Sequence, residues 1–271
     1  MEFISPTTLD EAYRALTGDE ARCLAGGQSL VAMMNLGLVS PSRLVSLRKI
    51  ESLRGITPRP GGSVRIGAMT THAELAALDV PNAAVTLLAS AARVVAYPAV
   101  RMQGTLGGSI AHADPAADYP VALTAAEAEI EIGSRYGTRT VPVCGFFRGM
   151  FETTLQQGEI VIAIVLPPAA PGVGAAYEKL SIVAGDFAIA SVAAMVGNTA
   201  NIAIGGCGPK PLFAAGIGVT EDALSAAGKR LAEECDPPSD QRASEGYRRK
   251  IIPTLVRRAV RKAQTGIKAP Q

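Results

Sequence analysis

Apolar residues recur at helical spacing from the start of the chain. In SPTTLDEAYRALTG, Leu9, Ala12, Tyr13 and Leu16 fall three and four apart, and Thr8 and Glu11 have the spacing of a capping box. That pattern predicts a helix. ARCLAGG then reads as a short strand closing on a glycine turn, and SLVAMMNLGL as the helix after it. RLVSL and SVRIGAM read as strands and THAELAAL as a short helix. Residues 82–95, NAAVTLLASAARVV, carry one apolar face and predict a second helix, ended by Pro98. EAEIEIG alternates strictly, SRYGTR is a turn and TVPV returns, which is a β-hairpin. EIVIAIVLP is apolar on both faces and predicts a buried strand.

The stretch PPAAPGVGA, residues 167–175, is the natural boundary, since proline and glycine stop both kinds of element. Beyond it AAYEKLSI, SVAAMVG and ANIAIGGCG read as consecutive strands. ALSAAGKRLAEEC is helical, and EGYRRKIIPTLVRRAVRKA is a basic amphipathic helix with Ile252, Leu255, Val256, Ala259 and Val260 on one face. The expected plan is an α/β part through about residue 168, then a smaller three-stranded sheet with helices. No internal repeat is evident.

Composition narrows the function classes. The chain has 271 residues, 48% hydrophobic and 18% charged, enough to bury a substantial core. A net charge of +2 and the absence of tryptophan argue against a nucleic-acid or anionic-membrane partner. No apolar run is long enough for a transmembrane helix, and MEFISPTTLDEAYRAL lacks the basic-then-apolar order of a signal peptide. A cytoplasmic location is expected. Cys23, Cys144, Cys207 and Cys235 lie far apart with no C-x-x-C spacing, and there are only two histidines. No zinc or iron–sulfur ligand set is expected on this chain.

Candidate chemistry sits in two glycine pairs. In AGGQSL, residues 25–30, Gly26 and Gly27 separate a strand from a helix. Glycine permits positive φ and close approach, successive N–H groups in such a turn form an anion nest, and the helix N-terminus adds partial positive charge. Ser29 adds a hydroxyl. The alternative is a tight strand-to-helix turn with no ligand, and short glycine motifs do not decide between the two. The spacing is neither G-x-G-x-x-G nor G-x-x-x-x-G-K-[ST].

The second pair lies in GTLGGSIAHADPAADYP. Gly107 and Gly108 are flanked by Thr105 and Ser109, with Asp114 and Asp118 across a run of small residues. A carboxylate there suits ribose hydroxyls, as in other dinucleotide sites. Two such turns suggest a long phosphate-bearing ligand gripped from two sides; a close-packed loop between helix and hairpin is the alternative.

AGGQSL followed by RMQGTLGGSIAHADPAADYP, with IGAMTTHAEL, GEIVIAIVLP, YEKLSIVAGDFAIA and YRRKIIPTLVRRAVRKA in order, resembles the FAD-binding medium subunit of the molybdenum hydroxylases, the xanthine and carbon monoxide dehydrogenase family. The resemblance spans nearly the whole chain. It implies an α+β fold. Residues 1–170 would form a two-subdomain FAD-binding domain of the PCMH, or vanillyl-alcohol-oxidase-like, type. Residues 171–271 would form a C-terminal domain with a three-stranded antiparallel sheet and helices.

The same resemblance assigns the site. Ala25, Gly26, Gly27, Gln28 and Ser29, with Leu30 adjoining, would wrap the FAD pyrophosphate. Thr105, Gly107, Gly108 and Ser109 would line the pyrophosphate and ribityl region, with Ser109 standing where the family has asparagine and so lacking an amide. Asp118 matches the family's downstream aspartate and Lys179 a flavin-side lysine. Asp186 and Phe187 fall in the family's G-D-[YF]-A, whose aromatic residue packs on the flavin. No catalytic residue and no metal ligand is assigned, because the flavin itself does the redox work. His72 and His112 are given no catalytic role.

The implied activity is an oxidoreductase subunit. It would take electrons from 2Fe–2S clusters on a small partner subunit and pass them to an external acceptor, with substrate hydroxylated at a molybdopterin-type molybdenum cofactor on a large partner subunit. A dimer of heterotrimers is implied. Two other readings stand beside it, a self-contained FAD-dependent oxidoreductase and a cofactor-free assembly protein.

Overall fold

The computed structural model describes residues 1–18 and 20–267. The chain opens with β1 (Glu2–Ile4), α1 (Leu9–Ala15), β2 (Ala21–Leu24), α2 (Leu30–Asn35) and β3 (Arg43–Ser46). Next come β4 (Ile56–Pro58), β5 (Val64–Gly67), α3 (His72–Ala76), α4 (Ala83–Val94), α5 (Pro98–Arg101), α6 (Leu106–His112) and α7 (Asp118–Ala125). Then follow β6 (Glu129–Ser134), β7 (Gly137–Pro142), α8 (Val143–Phe146), β8 (Phe147–Gly149), β9 (Glu152–Thr153) and β10 (Ile160–Leu166). The last part holds β11 (Gly174–Leu180), β12 (Ala190–Val196), β13 (Ala200–Gly205), β14 (Leu212–Ile217), α9 (Glu221–Glu234) and α10 (Glu245–Thr265).

Three sheets organise these elements. A small parallel sheet runs β1-β3-β2, an antiparallel sheet runs β4-β5-β10-β6-β7, and an antiparallel meander runs β11-β12-β13-β14. β8 and β9 pair separately. The uniformly apolar β10 is buried along its whole length because both its faces are covered. Ile160 and Ile162 pack with α1 and β3, while Val161, Ile164 and Leu166 join the core under α4, α6 and α7.

That second core continues through Tyr177, Ala193 and Ala203, so the N-terminal helices pack directly on the meander. The opposite face of the meander packs on α9 and α10 through Val192, Ile202, Leu231, Ile252 and Val256. α7 lies between the two layers and every one of its residues is buried.

The meander corrects the expected three strands to four. β14 pairs with β13 from Ala200↔Ile217 to Ile204↔Leu212. Its sequence, LFAAGI, is short, half-exposed and interrupted by Gly216 with φ 67°, so it lacks both a strong apolar run and strict alternation. Pro98 also differs from expectation. α4 ends at Val94 and Pro98 opens α5, where proline's missing N–H costs nothing.

Candidate functional site

The first glycine loop is an open turn. β2 ends at Leu24, whose carbonyl accepts the Leu47 N–H at 2.9 Å and anchors the loop's start. The chain reverses at Gly27, with φ 74°, a conformation that favours glycine. α2 then begins, with Val31 N donating to the Gly27 carbonyl and Met33 N to the Ser29 carbonyl. Gln28 and Ser29 are exposed. Among the described residues, the backbone N–H groups of Gly27, Gln28, Ser29 and Leu30 donate to no protein acceptor. Four successive donors at a helix start make a concavity suited to an anion.

The second loop is built differently. Thr105, Leu106 and Gly107 are buried. Leu106 N donates to Thr70 O at 2.9 Å, Gly107 N to Ala68 O at 2.8 Å, and Gly108 N to Thr105 Oγ1 at 3.2 Å. Ser109 N donates to Thr105 O at 3.0 Å. A side chain on Gly107 would begin 2.5 Å from the Ala68 methyl.

His72 braces this loop from behind. Its backbone N–H donates to Gly104 O at 3.0 Å, and its Nδ1 lies 2.9 Å from the Tyr119 hydroxyl. Burial, helped by the nearby charge of Arg101, pulls its imidazole down to about 4, so it is neutral near pH 7.

The two loops meet although they are far apart in sequence. A side chain on Gly26 would run into the Gln103 carbonyl oxygen and come within 2.7 Å of the Gly104 Cα. The Ala25 methyl lies 3.3 Å from where a side chain on Gly108 would start. Arg48 Nη2 donates to Gln103 Oε1 at 2.5 Å, tying the end of the β3 segment to the same floor. Glycine at 26 therefore permits backbone contact between loops.

Asp118 and Lys179 sit deeper. Lys179 Nζ donates to Asp118 Oδ2 at 3.0 Å and to Val94 O at 3.2 Å, and the Tyr177 hydroxyl donates to Asp118 Oδ1 at 2.7 Å. The two side chains are 5% and 6% exposed. Burial pushes the Asp118 carboxyl above its ordinary value, against the pull of the Lys179 ammonium and the Tyr177 hydroxyl. The structure thus places the pair as a strut tying α7 and the end of α4 to β11, with both carboxylate oxygens and the ammonium already bonded within the protein. Asp114, the other acidic residue of this run, accepts from Ala116 N at 2.8 Å.

Asp186 and Phe187 form an exposed corner between β11 and β12. Asp186 Oδ1 accepts from Phe187 N at 2.7 Å, and Phe187 is 45% exposed. Beside them Gly185, φ 86°, packs so closely that a side chain would begin 2.7 Å from the Ala96 carbonyl. Ala96 precedes α5, whose Val100 carbonyl accepts the Gly104 N–H. The corner, α5 and the two glycine loops therefore form one continuous rim.

Residues 1–169 match the FAD-binding domain of molybdopterin dehydrogenases, and residues 175–263 the C-terminal domain of the carbon monoxide dehydrogenase flavoprotein. The chain belongs to the FAD-binding subunit family of the molybdenum hydroxylases. It is 37% identical to the carbon monoxide dehydrogenase medium chain of Hydrogenophaga pseudoflava, over 97% of this chain and 96% of that one. It is 35% identical to the glyceraldehyde dehydrogenase medium chain of Sulfolobus acidocaldarius, over 95% and 96%. It also superimposes on carbon monoxide dehydrogenase from Hydrogenophaga pseudoflava, with a TM-score of 0.93, 36% identity and coverage of 99% and 98%. Quinoline 2-oxidoreductase from Pseudomonas putida 86 gives 0.91 at 30% identity, with 98% of both chains covered.

Within this flavoprotein family, the rim has the donor set that an FAD pyrophosphate requires, in the unpaired N–H groups of residues 27–30. Sequence reasoning did not single out four neighbours of these candidate residues: the Gln103–Gly104 floor, the His72–Tyr119 brace, Tyr177 and Arg242. Tyr177 could have been found, because it precedes Lys179 by two residues on one strand and shares its face. Arg242, which lies over Phe187, has no local signal.

Proposed function

We propose that this chain is the FAD-carrying electron-transfer subunit of a multi-subunit molybdenum-containing dehydrogenase or hydroxylase. It takes electrons from 2Fe–2S clusters on a small partner subunit and passes them to an external acceptor. The organic substrate reacts at a molybdopterin-type cofactor on a large partner subunit, in a dimer of heterotrimers. Residues 1–170 form the FAD-binding domain and residues 171–271 the C-terminal domain.

The observation that carries this reading is the rim: an open run of four backbone donors touching a second glycine loop, in a chain that matches an FAD-binding family along its length. Ala25–Leu30 hold the pyrophosphate, with Ser29 adding its hydroxyl. Thr105, Gly107, Gly108 and Ser109 back that loop and shape the space beside it. Phe187 offers an apolar ring face to the flavin and Asp186 fixes the turn that carries it. Asp118 and Lys179 support the rim from behind, by holding α7 and β11 together. Bound FAD supplies the exchange of electrons with the partner clusters and the acceptor. The names of the relatives support the partner assignment, since each is one chain of a complex by its own name.

No helix among the described residues is long and apolar enough to cross a membrane. The test is co-purification of the chain with the products of neighbouring genes. A yellow complex whose flavin bleaches anaerobically when the molybdenum subunit's substrate is added supports the reading. A folded chain that stays colourless with added FAD and binds neither partner overturns it.

A further inference from the structure

The chain between α9 and α10 is tied down over the Asp186–Phe187 corner. Arg248, in the first turns of α10, is only 2% exposed. Its guanidinium donates to the Ile189 carbonyl at 2.6 Å, the Gly206 carbonyl at 2.8 Å and Asp240 Oδ1 at 2.7 Å. The same Asp240 oxygen accepts the backbone N–H groups of Arg242 at 2.9 Å and Ala243 at 3.1 Å. One carboxylate oxygen, gripped by a buried arginine, therefore sets the backbone from which the Arg242 side chain leaves.

That side chain ends between two members of the corner. Its Nη2 lies 3.6 Å from Asp186 Oδ1, and its Cζ lies 5.5 Å from the centre of the Phe187 ring. Its Nη1 turns back to Asp240 Oδ2 at 3.8 Å. Arg248 meanwhile holds the carbonyl of Ile189, just beyond Phe187. The turn carrying the corner is open, with Ile182 60% and Val183 52% exposed. A half-exposed phenylalanine gains orientation from a planar guanidinium on its face.

We propose that Arg242 is a positioning residue for the flavin: anchored through Asp240 and Arg248, it holds the Phe187 ring in the orientation that bound FAD meets. The proposal rests on the FAD reading above. It extends the rim to the segment before α10, which carries no glycine motif.

The test uses the FAD-loaded complex with Arg242→Ala, Arg242→Lys, Phe187→Leu and the double variant Arg242→Ala/Phe187→Leu. The readouts are the visible circular dichroism of the flavin and the FAD dissociation constant. Arg242→Ala is expected to keep FAD, change the flavin dichroism and weaken binding about two- to fivefold. Arg242→Lys, which keeps a cation over the ring, falls between it and the wild type. In the Phe187→Leu background Arg242→Ala has no further effect, because it acts through the ring.

Unchanged dichroism and affinity in Arg242→Ala overturn the proposal, as does a full Arg242→Ala effect in the Phe187→Leu background. Should Arg242→Ala fail to fold, Arg242→Gln carries the same outcomes. A colourless wild-type complex overturns the FAD reading and this proposal with it. A yellow wild type with an inert Arg242→Ala overturns the proposal alone.

Discussion

The two glycine loops look alike in sequence and differ in where their backbone N–H groups point. AGGQSL leaves the four successive N–H groups of residues 27–30 without an acceptor among the described residues, on an exposed turn. TLGGS directs the N–H groups of Leu106, Gly107, Gly108 and Ser109 into its own protein, and its glycines lie close to Ala68 and Ala25. The first loop has donors to offer a ligand; the second uses its donors within the protein and packs its glycines against Ala68, Ala25 and its own Thr105. A glycine pair in a sequence therefore signals close approach without saying what approaches. What separates the cases is the fate of the N–H groups, which depends on the elements packed behind the loop.

If the second loop is a structural wall, damage behind it should cost stability first. The largest effect is expected from Lys179→Met. It leaves the Asp118 carboxylate buried with the Tyr177 hydroxyl as its remaining partner, and breaking such a pair costs about 3–5 kcal/mol. Urea unfolding of the FAD-free protein should show it, and Asp118→Leu added to Lys179→Met should restore part of the loss. An FAD-free protein of unchanged stability would mean that the strut does not hold the wall.

Acid should act on the same wall. His72 has a folded value of about 4, below its unfolded value near 6.5, so the folded protein binds fewer protons between them. Its contribution is complete above pH 6.5 and is lost as pH falls toward 4. At pH 5 the loss is about 2 kcal/mol. His72→Gln should remove that part of the slope, which unfolding at pH 7.5 and pH 5.0 would measure. Equal slopes in the two proteins would remove His72 from the brace.

The same contrast explains what was legible in the chain. The both-sided apolar run of β10, the alternation of β6 and the Thr8 cap of α1 are local patterns, and each formed the element expected of it. Both glycine pairs were visible as places of close approach for the same reason. Asp118 was not legible as half of a buried pair, because Lys179 and Tyr177 reach it from β11, 61 and 59 residues on in the chain. In the sequence Asp118 reads as a carboxylate suited to ribose hydroxyls, and nothing local announces that the helix it opens is buried along its whole length. β14 was missed because its pattern is weak and its pairing with β13 is what makes it a strand. Arg242 meets Phe187 through a fold-level encounter that no spacing encodes.

The smallest effects make the sharpest test, because one chemical change can be made in both loops. Ser29→Ala and Thr105→Ala each delete a hydroxyl. Thr105 Oγ1 accepts the Gly108 N–H as the cap of α6, so its loss should lower the stability of the FAD-free protein by about 1 kcal/mol. FAD affinity would then fall only as far as the wall moves. The Ser29 side chain makes no cap hydrogen bond to α2 and is exposed. Ser29→Ala should leave the thermal midpoint of the FAD-free protein unchanged and raise the FAD dissociation constant about fivefold, the worth of one ordinary hydrogen bond of about 1 kcal/mol. Calorimetry without flavin and fluorescence titration with it separate the two variants. If both move the same readout, the two loops share one role, and the division between an open cradle and a packed wall fails.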